Sequence, residues 1–204
     1  AQALALEGEQ VLEAAPDHVL GPGYGCQGPL DLDEVGADVG PQLREGRLQV
    51  HDALLALDHG NFMVEIGGEV RTSGVNVEGR PWRIGIERPD EAGRVATVAV
   101  ELAGRSMATS GDYRNFFEAD GKIYSHTIDT RNGRPVTHTL ASVTVVDESA
   151  ARADALATAL LVMGPEEGMA FAEREKLAVL MLTRTNGGIE ERQSAAFARL
   201  RDIT

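Results

Sequence analysis

Short apolar or alternating segments, separated by residues typical of turns, predict β-strands along much of the chain. Strand patterns occur at residues 62–66, 82–87, 95–102, 140–146 and 177–183. Two more, at 113–119 and 122–128, flank Asp120-Gly121, a dipeptide typical of a tight hairpin turn. Residues 21–30 are so rich in Gly and Pro that we predict a loop there. The chain is therefore expected to form several hairpins.

The clearest helical pattern follows the strand at 140–146. Its apolar residues recur at i, i+3, i+4, i+7 and i+8, and they are Ala153, Leu156, Ala157, Leu160 and Leu161. Asp147 or Ser149 is placed to cap this helix. Gly164-Pro165 ends it and opens a second helix that reaches about Lys176.

Weaker helical patterns occur nearer the N-terminus. Residues 51–59 place Ala53, Leu54 and Leu57 on one face, and Gly60 is a candidate C-cap. Residues 1–20 also carry a weak helical register, from which Leu6 departs. Because strands and helices alternate irregularly, we predict an α+β fold with a mixed or mostly antiparallel sheet and packed helices, rather than a doubly wound fold.

The composition is that of an ordinary globular protein, and its charge limits the choice of partners. The chain has 204 residues, of which 43% are hydrophobic and 25% are charged. A net charge of −13 would repel phosphate backbones, so no nucleic acid partner is expected. A small anionic ligand would need a local device such as a helix N-terminus or a bound cation. The single cysteine, Cys26, provides no thiol cluster for a metal.

Asp154 and Thr158 are the strongest candidates for a metal site. They are four residues apart on the predicted helix, so their oxygens project from the same side. A carboxylate and a hydroxyl are hard ligands suited to Mg²⁺ or Ca²⁺. Spacing alone favours a plainer interpretation, in which Asp154 interacts with the helix dipole and Thr158 bonds back to its own helix. Against that, a polar pair within an almost entirely apolar helix needs a reason.

Two further segments contain residues suited to ligand binding, and each has a plainer alternative. Ser110, Gly111 and Asp112 offer a donor, close backbone approach and an acceptor, although an ordinary Ser-Gly-Asp turn explains the same residues. Gly67-Gly68 ends a strand, where two glycines either leave room for a planar ligand or form a bulge.

His126 is the candidate for proton transfer. On a strand from 122 to 128 it would face the same side as Tyr124 and Ile128. Histidine is the usual proton-transfer residue near neutral pH. A lone strand histidine is more often structural, and the alternation does not decide between the two roles.

Five segments, taken in order, resemble the ApbE family, the FAD:protein FMN transferases. They are VEIGGE at 64–69, WRIGIE at 82–87, ATSGDY at 108–113, YSHTID at 124–129 with its continuation to 133, and ADALAT at 153–158. The resemblance runs from about residue 51 to residue 183 and implies a T-fold-related α+β architecture. Five motifs in the family's order are far more specific than any one of them.

The resemblance implies a mechanism and a set of site residues. Enzymes of this family split the FAD pyrophosphate with Mg²⁺, pass the FMN moiety to a Thr or Ser hydroxyl of a partner protein and release AMP. Asp154 and Thr158 match the family's metal ligands, and His126 matches its catalytic base. Residues expected to bind FAD by the same resemblance are Gly67, Gly68, Glu69, Ser110, Gly111, Asp112 and Ile128.

The implied partners are FAD and an acceptor flavoprotein subunit with a Thr or Ser flavinylation site. Family members act largely on the outer face of the bacterial membrane, so the acceptor would bring membrane proximity. The first ten residues, AQALALEGEQ, show no signal peptide or lipobox, which leaves a cytoplasmic location open.

The N-terminal part departs from the family pattern. Residues 1–50 lack its Met-Gly-Thr segment and its Ala-Lys-Gly-Tyr stretch, and Glu45-Gly46 carries the charge opposite to that lysine. We therefore expect one domain over residues 1–204 whose first 50 residues are incomplete relative to the family. The alternatives are a protein of the same fold that binds FAD without transferring it, and a scaffold that binds no ligand.

Overall fold

A computed structural model of the chain describes residues 4–7, 10–13, 19–20, 48–88, 96–111, 116–119, 122–125 and 127–201. The strands are β1 (Leu4–Glu7), β2 (Gln10–Glu13), β3 (Val19–Leu20), β4 (Phe62–Ile66), β5 (Glu69–Ser73), β6 (Arg83–Glu87), β7 (Ala96–Glu101), β8 (Ser106–Gly111), β9 (Phe116–Ala119), β10 (Lys122–Ser125), β11 (Ile128–Asp129), β12 (Arg134–Pro135), β13 (Leu140–Asp147), β14 (Ala178–Thr185) and β15 (Gly188–Gln193). The helices are α1 (Leu48–Ala56), α2 (Ala150–Met163), α3 (Pro165–Arg174) and α4 (Ala195–Arg201).

A seven-stranded sheet with the order β15-β14-β13-β8-β5-β4-β3 forms the centre of the fold. A four-stranded sheet, β2-β1-β6-β7, and the hairpins β9–β10 and β11–β12 accompany it. Every strand pair within the described ranges is antiparallel. The predicted α+β class is confirmed.

Both faces of the seven-stranded sheet are buried. One face packs on β6, β7 and α4 through a core that includes Met107, Leu180, Ile84, Val100 and Phe197. The opposite face packs on α2 and α3 through a core that includes Ala108, Val143, Val179, Leu160 and Met169. Helix α1 covers β4 with Val50 and Leu54 against Phe62 and Val64. The order of layers is therefore helices, seven-stranded sheet, then four-stranded sheet with α4.

Local pattern located many elements but did not predict β5, β8, β15 or α4, and it was wrong in three further places. Residues 4–7 and 10–13 pair as strands, so the weak helix at 1–20 is wrong; Leu4 and Leu6 fit the strand period instead. Helix α1 ends at Ala56 and the chain turns at Asp58, which has φ of 61°, so Gly60 is not its C-cap. The predicted strand 122–128 is interrupted, because β10 ends at Ser125 and β11 pairs with a different partner.

Within the described residues, no helix is long and apolar enough to cross a membrane.

A charged cluster fixes the β11–β12 turn against α3. The Asp129 carboxylate accepts hydrogen bonds from the backbone N and Nε of Arg131 at 2.9 and 3.0 Å and from Asn132 Nδ2 at 3.0 Å. Arg131 Nη1 also donates to Glu167 Oε2 in the first turn of α3 at 3.0 Å. The hydrogen bonds from Arg131 are the main reason that the pKa of Asp129 lies below its usual range. Arg131 thus joins the turn to the helix layer.

Gly164 lies where α2 ends and α3 begins, and its backbone requires glycine. Its φ of 85° is in the region that side chains rarely adopt. A Cβ at this position would lie 2.9 Å from Cδ2 of His138. The helix–helix junction therefore depends on both the backbone conformation of Gly164 and the space beside His138.

Acid should weaken the Asp129 cluster. A carboxylate whose folded pKa is lowered stabilises the fold above its unfolded pKa, which is about 3.9, and the contribution disappears as pH falls through the folded value. We expect Asp129→Asn to lower the free energy of unfolding near neutral pH, with the deficit relative to wild type shrinking as pH falls below about 4. Urea unfolding of both proteins across this pH range measures it. A deficit that stays constant with pH would contradict the role of the charge.

Substitution of Gly164 tests the junction. We expect Gly164→Ala to destabilise the fold by about 1–3 kcal/mol, because the positive φ becomes strained and the methyl group meets the His138 ring. Gly60→Ala is the matched control, since a Cβ there meets no atom within 4 Å. In a His138→Ala background, Gly164→Ala should cost less free energy of unfolding, because the methyl group no longer meets the His138 ring. The cost that comes from the positive φ should remain. Urea denaturation of the four variants measures this, and equal losses at Gly60 and Gly164 would refute it.

Candidate functional site

Helix α2 carries the central part of the candidate site. Ser149 caps it by accepting a hydrogen bond on Oγ from the backbone N of Arg152, as predicted. Ala153 and Ala157 are completely buried on the side that faces the sheet. The helix lies against β8 and β13 and also contacts β5 and β11. Three of the other predicted motifs thus adjoin a single helix.

Asp154 and Thr158 lie one turn apart at the border of the buried stripe of α2. Asp154 is half-buried and Thr158 is exposed. Each directly follows one of the buried alanines, so both oxygens are held beside the sheet without being enclosed by it. Thr158 Oγ1 lies 2.9 Å from Ser110 Oγ, a hydrogen bond in which either hydroxyl can donate. The hydroxyl therefore bonds across to the sheet and not back to its own helix.

Strand β8 brings Ser110 to this position. Its register pairs Ser110 with Val143 and Gly111 with Ser142 of β13. Because side chains alternate along a strand, Ser110 shares the helix-facing side with Ala108, which packs in the core beneath α2. The plainer interpretation of this segment as an ordinary turn does not hold for Ser110 and Gly111, which belong to the strand.

Gly67 and Gly68 form the tight turn of the β4–β5 hairpin. Their φ values are 65° and 95°, and the flanking residues Ile66 and Glu69 pair with each other. Positive φ at both central residues is the geometry of a two-residue hairpin turn, so the bulge interpretation is wrong. The register of β5 on β8 places this turn at the same end of the sheet as Ser110. Glu69 begins β5 and is half-buried.

Ile128 lies on β11, which contacts α2, and its side chain is 45% exposed. Its exposed side chain is therefore accessible to a ligand. Asp112 and His126 lie outside the described residues. Thr127, the sequence neighbour of His126, is buried, and its carbonyl accepts a hydrogen bond from the backbone N of Val136 at 3.0 Å.

The oxygens at this site suit a hard cation with an incomplete protein shell. They are the Asp154 carboxylate and the Thr158 hydroxyl, with the Ser110 hydroxyl adjoining Thr158. Across the part of the chain that the structure describes, no group of three His, Cys, Asp or Glu residues could hold a metal ion. Mg²⁺ commonly keeps several waters and takes only one or two carboxylates together with substrate phosphates. The donor set therefore fits Mg²⁺ bound jointly with a phosphate ligand.

Sequence reasoning missed two contacts near the site. It assigned Ser110 to a ligand pocket but did not foresee its bond to Thr158, which joins residues 48 positions apart. It placed Asp129 and Arg131 only in the YSHTID segment and its continuation to 133, whereas Arg131 reaches Glu167 on α3. The Asp-x-x-x-Gly spacing from Asp129 to Gly133 was a usable signal for the turn. No residue near Arg131 in the sequence indicated that it would contact Glu167 on α3.

Comparison with known proteins gives consistent matches. The model of the ApbE family matches residues 49–181. The chain is 51% identical to the FAD:protein FMN transferase of Vibrio cholerae over 67% of this chain and 41% of that protein. It is 45% identical to the Haemophilus influenzae protein of the same name, over 74% of this chain and 44% of that one. The apo crystal structure of the flavinyl transferase ApbE of Pseudomonas stutzeri superposes with a TM-score of 0.67 at 46% identity, covering 77% of this chain and 48% of that one.

The chain thus spans a little under half the length of these relatives. The matched region nevertheless includes the segments that carry the candidate site, from the β4–β5 turn to α2. The family model covers well over half of the chain, and the fold agrees with that of a solved relative. The chain belongs to the ApbE family.

Proposed function

We propose that this chain is the part of an FMN transferase that holds the metal and much of the flavin site. The reaction is the Mg²⁺-dependent transfer of the FMN moiety of FAD to a Thr or Ser hydroxyl of an acceptor flavoprotein, with release of AMP. Relatives at 51% and 45% identity bear the name FAD:protein FMN transferase. The observation that carries the proposal is the pairing of Asp154 and Thr158 on α2 beside Ser110 of β8.

Asp154 and Thr158 would hold Mg²⁺. When bound, the ion supplies positive charge against the pyrophosphate as negative charge develops in the transition state. The chain has a formal net charge of −13, so it needs such a local cation to accept a diphosphate. Asp154 provides charge and Thr158 a neutral ligand, which leaves coordination positions for phosphate oxygens and water.

The flavin would lie at the end of the sheet formed by the β4–β5 turn and the last residues of β8. Gly67 and Gly68 present backbone without side chains, which permits close approach of a planar ring. Ser110 and Gly111 are half-buried at the same sheet end. Ile128 offers an exposed apolar contact on β11, which contacts α2. Glu69 and Asp112 complete the proposed flavin-binding set.

His126 would act as general base on the acceptor. In this step His126 takes the proton of the acceptor hydroxyl, the hydroxyl oxygen bonds to the phosphorus on the FMN side, and the bond from that phosphorus to the AMP oxygen breaks. AMP leaves with the electron pair of the broken bond. Support for this role is the match of the YSHTID segment to the family motif and its sequence adjacency to β11, which contacts α2.

A second function, FAD binding without transfer, is favoured by one feature of the sequence. Glu45-Gly46 stands before α1 where the family pattern has a lysine that helps to hold FAD. A carboxylate there would repel the pyrophosphate and displace it from the metal, whereas the proposed flavin contacts at the end of the sheet would remain, so FAD would bind without being cleaved.

A transfer assay separates the two functions. The chain is incubated with FAD, Mg²⁺ and an acceptor domain that carries the flavinylation Thr, and covalent flavin is read as fluorescence on a denaturing gel. We expect labelled acceptor and stoichiometric AMP, both abolished by EDTA. If the acceptor stays unlabelled while the chain retains FAD through purification, the second function replaces the first.

Loss of charge at Asp154 should greatly slow transfer. We expect Asp154→Asn, which keeps the shape, to lower kcat/KM by about 100-fold or more, because the cation loses its only charged protein ligand in the proposed set. Thr158→Val and Thr158→Ser form a matched pair. The valine variant lacks the hydroxyl and should lose activity, whereas the serine variant keeps the hydroxyl and should stay active. Initial rates of AMP release measure the effect. Full activity of Asp154→Asn would refute the metal assignment.

Removal of His126 should slow chemistry without preventing FAD binding. We expect His126→Ala to reduce the transfer rate by about 10²–10⁴-fold, the usual contribution of a general base. Quenching of flavin fluorescence should give an unchanged Kd for FAD. His59→Ala, which removes a histidine from the loop after α1, is the control. A transfer rate in His126→Ala equal to that of the control would refute the assignment.

A further inference from the structure

Strand β8 carries two hydroxyl pairs of similar length on its two faces. Ser110 Oγ lies 2.9 Å from Thr158 Oγ1 on the side of the helices. Thr109 Oγ1 lies 2.8 Å from Thr144 Oγ1 on the opposite side, between adjacent strands. Only the first pair joins the sheet to the helix that carries Asp154. The Ser110–Thr158 pair can therefore orient a side chain of α2, whereas the Thr109–Thr144 pair can orient only side chains of the sheet.

The bond from Ser110 restricts the side chain of Thr158. In a helix, threonine divides between two χ1 rotamers because its hydroxyl can bond a carbonyl one turn back. Here the hydroxyl bonds Ser110 of the sheet, so a contact outside the helix selects its orientation. Ser110 is a firm anchor because its side chain is short and its position on β8 is paired with Val143 of β13.

The direction of the bond matters when a cation is present. A threonine hydroxyl that ligates a cation does so through a lone pair, and its hydrogen must then point to an acceptor away from the ion. Ser110 Oγ, at 2.9 Å, is such an acceptor. With Thr158 as donor, the hydrogen of Ser110 is free to point outward toward a phosphate or flavin oxygen.

We propose that Ser110 is a positioning residue that orients the Thr158 hydroxyl for a divalent cation. The inference rests on the proposed function, in which Asp154 and Thr158 hold Mg²⁺, and it assigns Ser110 a role beyond contact with the flavin. Partners that orient metal ligands in this way commonly change metal affinity by about 10–100-fold when removed.

The test is a titration of the chain with Mn²⁺ alone, read by the electron paramagnetic resonance signal of the free ion. Mn²⁺ replaces Mg²⁺ because both prefer oxygen ligands. We expect Ser110→Ala to weaken Mn²⁺ binding about tenfold and Ser110→Thr, which keeps the hydroxyl, to bind as wild type does. Thr109→Val is the matched control, since it removes the other hydroxyl pair of β8 and should leave Mn²⁺ affinity unchanged. In a Thr158→Val background, Ser110→Ala should cause no further loss.

Three other outcomes are decisive. If Asp154→Asn and Thr158→Val weaken Mn²⁺ binding but Ser110→Ala does not, the positioning role is wrong and the metal site stands. If Ser110→Ala still weakens binding in the Thr158→Val background, Ser110 acts on the ion without Thr158, which also overturns the inference. If neither Asp154→Asn nor Thr158→Val changes the affinity, the metal site of the proposed function fails and this inference fails with it.

Discussion

Close packing of α2 on the seven-stranded sheet is the interaction on which the rest of the site depends. Ala153 and Ala157 are fully buried between the helix and the sheet, and a larger side chain at either position would push the helix outward. Because Asp154 and Thr158 each follow one of these alanines, their distance from the sheet is set by the same contact. The bond of 2.9 Å between Thr158 and Ser110 is a direct consequence. The small size of Ala153 and Ala157 thus sets how close Asp154 and Thr158 lie to the sheet.

Much of this fold could be predicted from sequence, because the relevant signals are local. The apolar run at β4, the Ser149 cap and the Gly164-Pro165 junction each depend on residues within a few positions of one another. The spacing of Asp154 and Thr158 was also a local signal. The order of the five motifs then indicated that the two residues match the metal ligands of the family. The bond from Ser110 and the ion pair of Arg131 with Glu167 could not be predicted, because both depend on how separate elements pack. The first strands were missed because a short apolar segment fits either period.

The negative net charge of the chain limits how it can bind a diphosphate. A chain with a formal net charge of −13 cannot attract a diphosphate by its overall field. The described site instead combines one carboxylate, hydroxyls and backbone exposed at glycines, which together suit a cation with a phosphate attached. Arg131 is paired with Asp129 and Glu167, and these contacts stabilise the neighbouring turn.

The location of the cation is the most direct test of this account. Crystals of the chain grown with Mn²⁺ and FAD can be measured at a wavelength where manganese scatters anomalously. We expect one strong anomalous peak beside α2, with the Asp154 carboxylate and Thr158 Oγ1 as its protein ligands. An ordered FAD pyrophosphate with no anomalous peak beside α2, or a peak held by other residues, would contradict it.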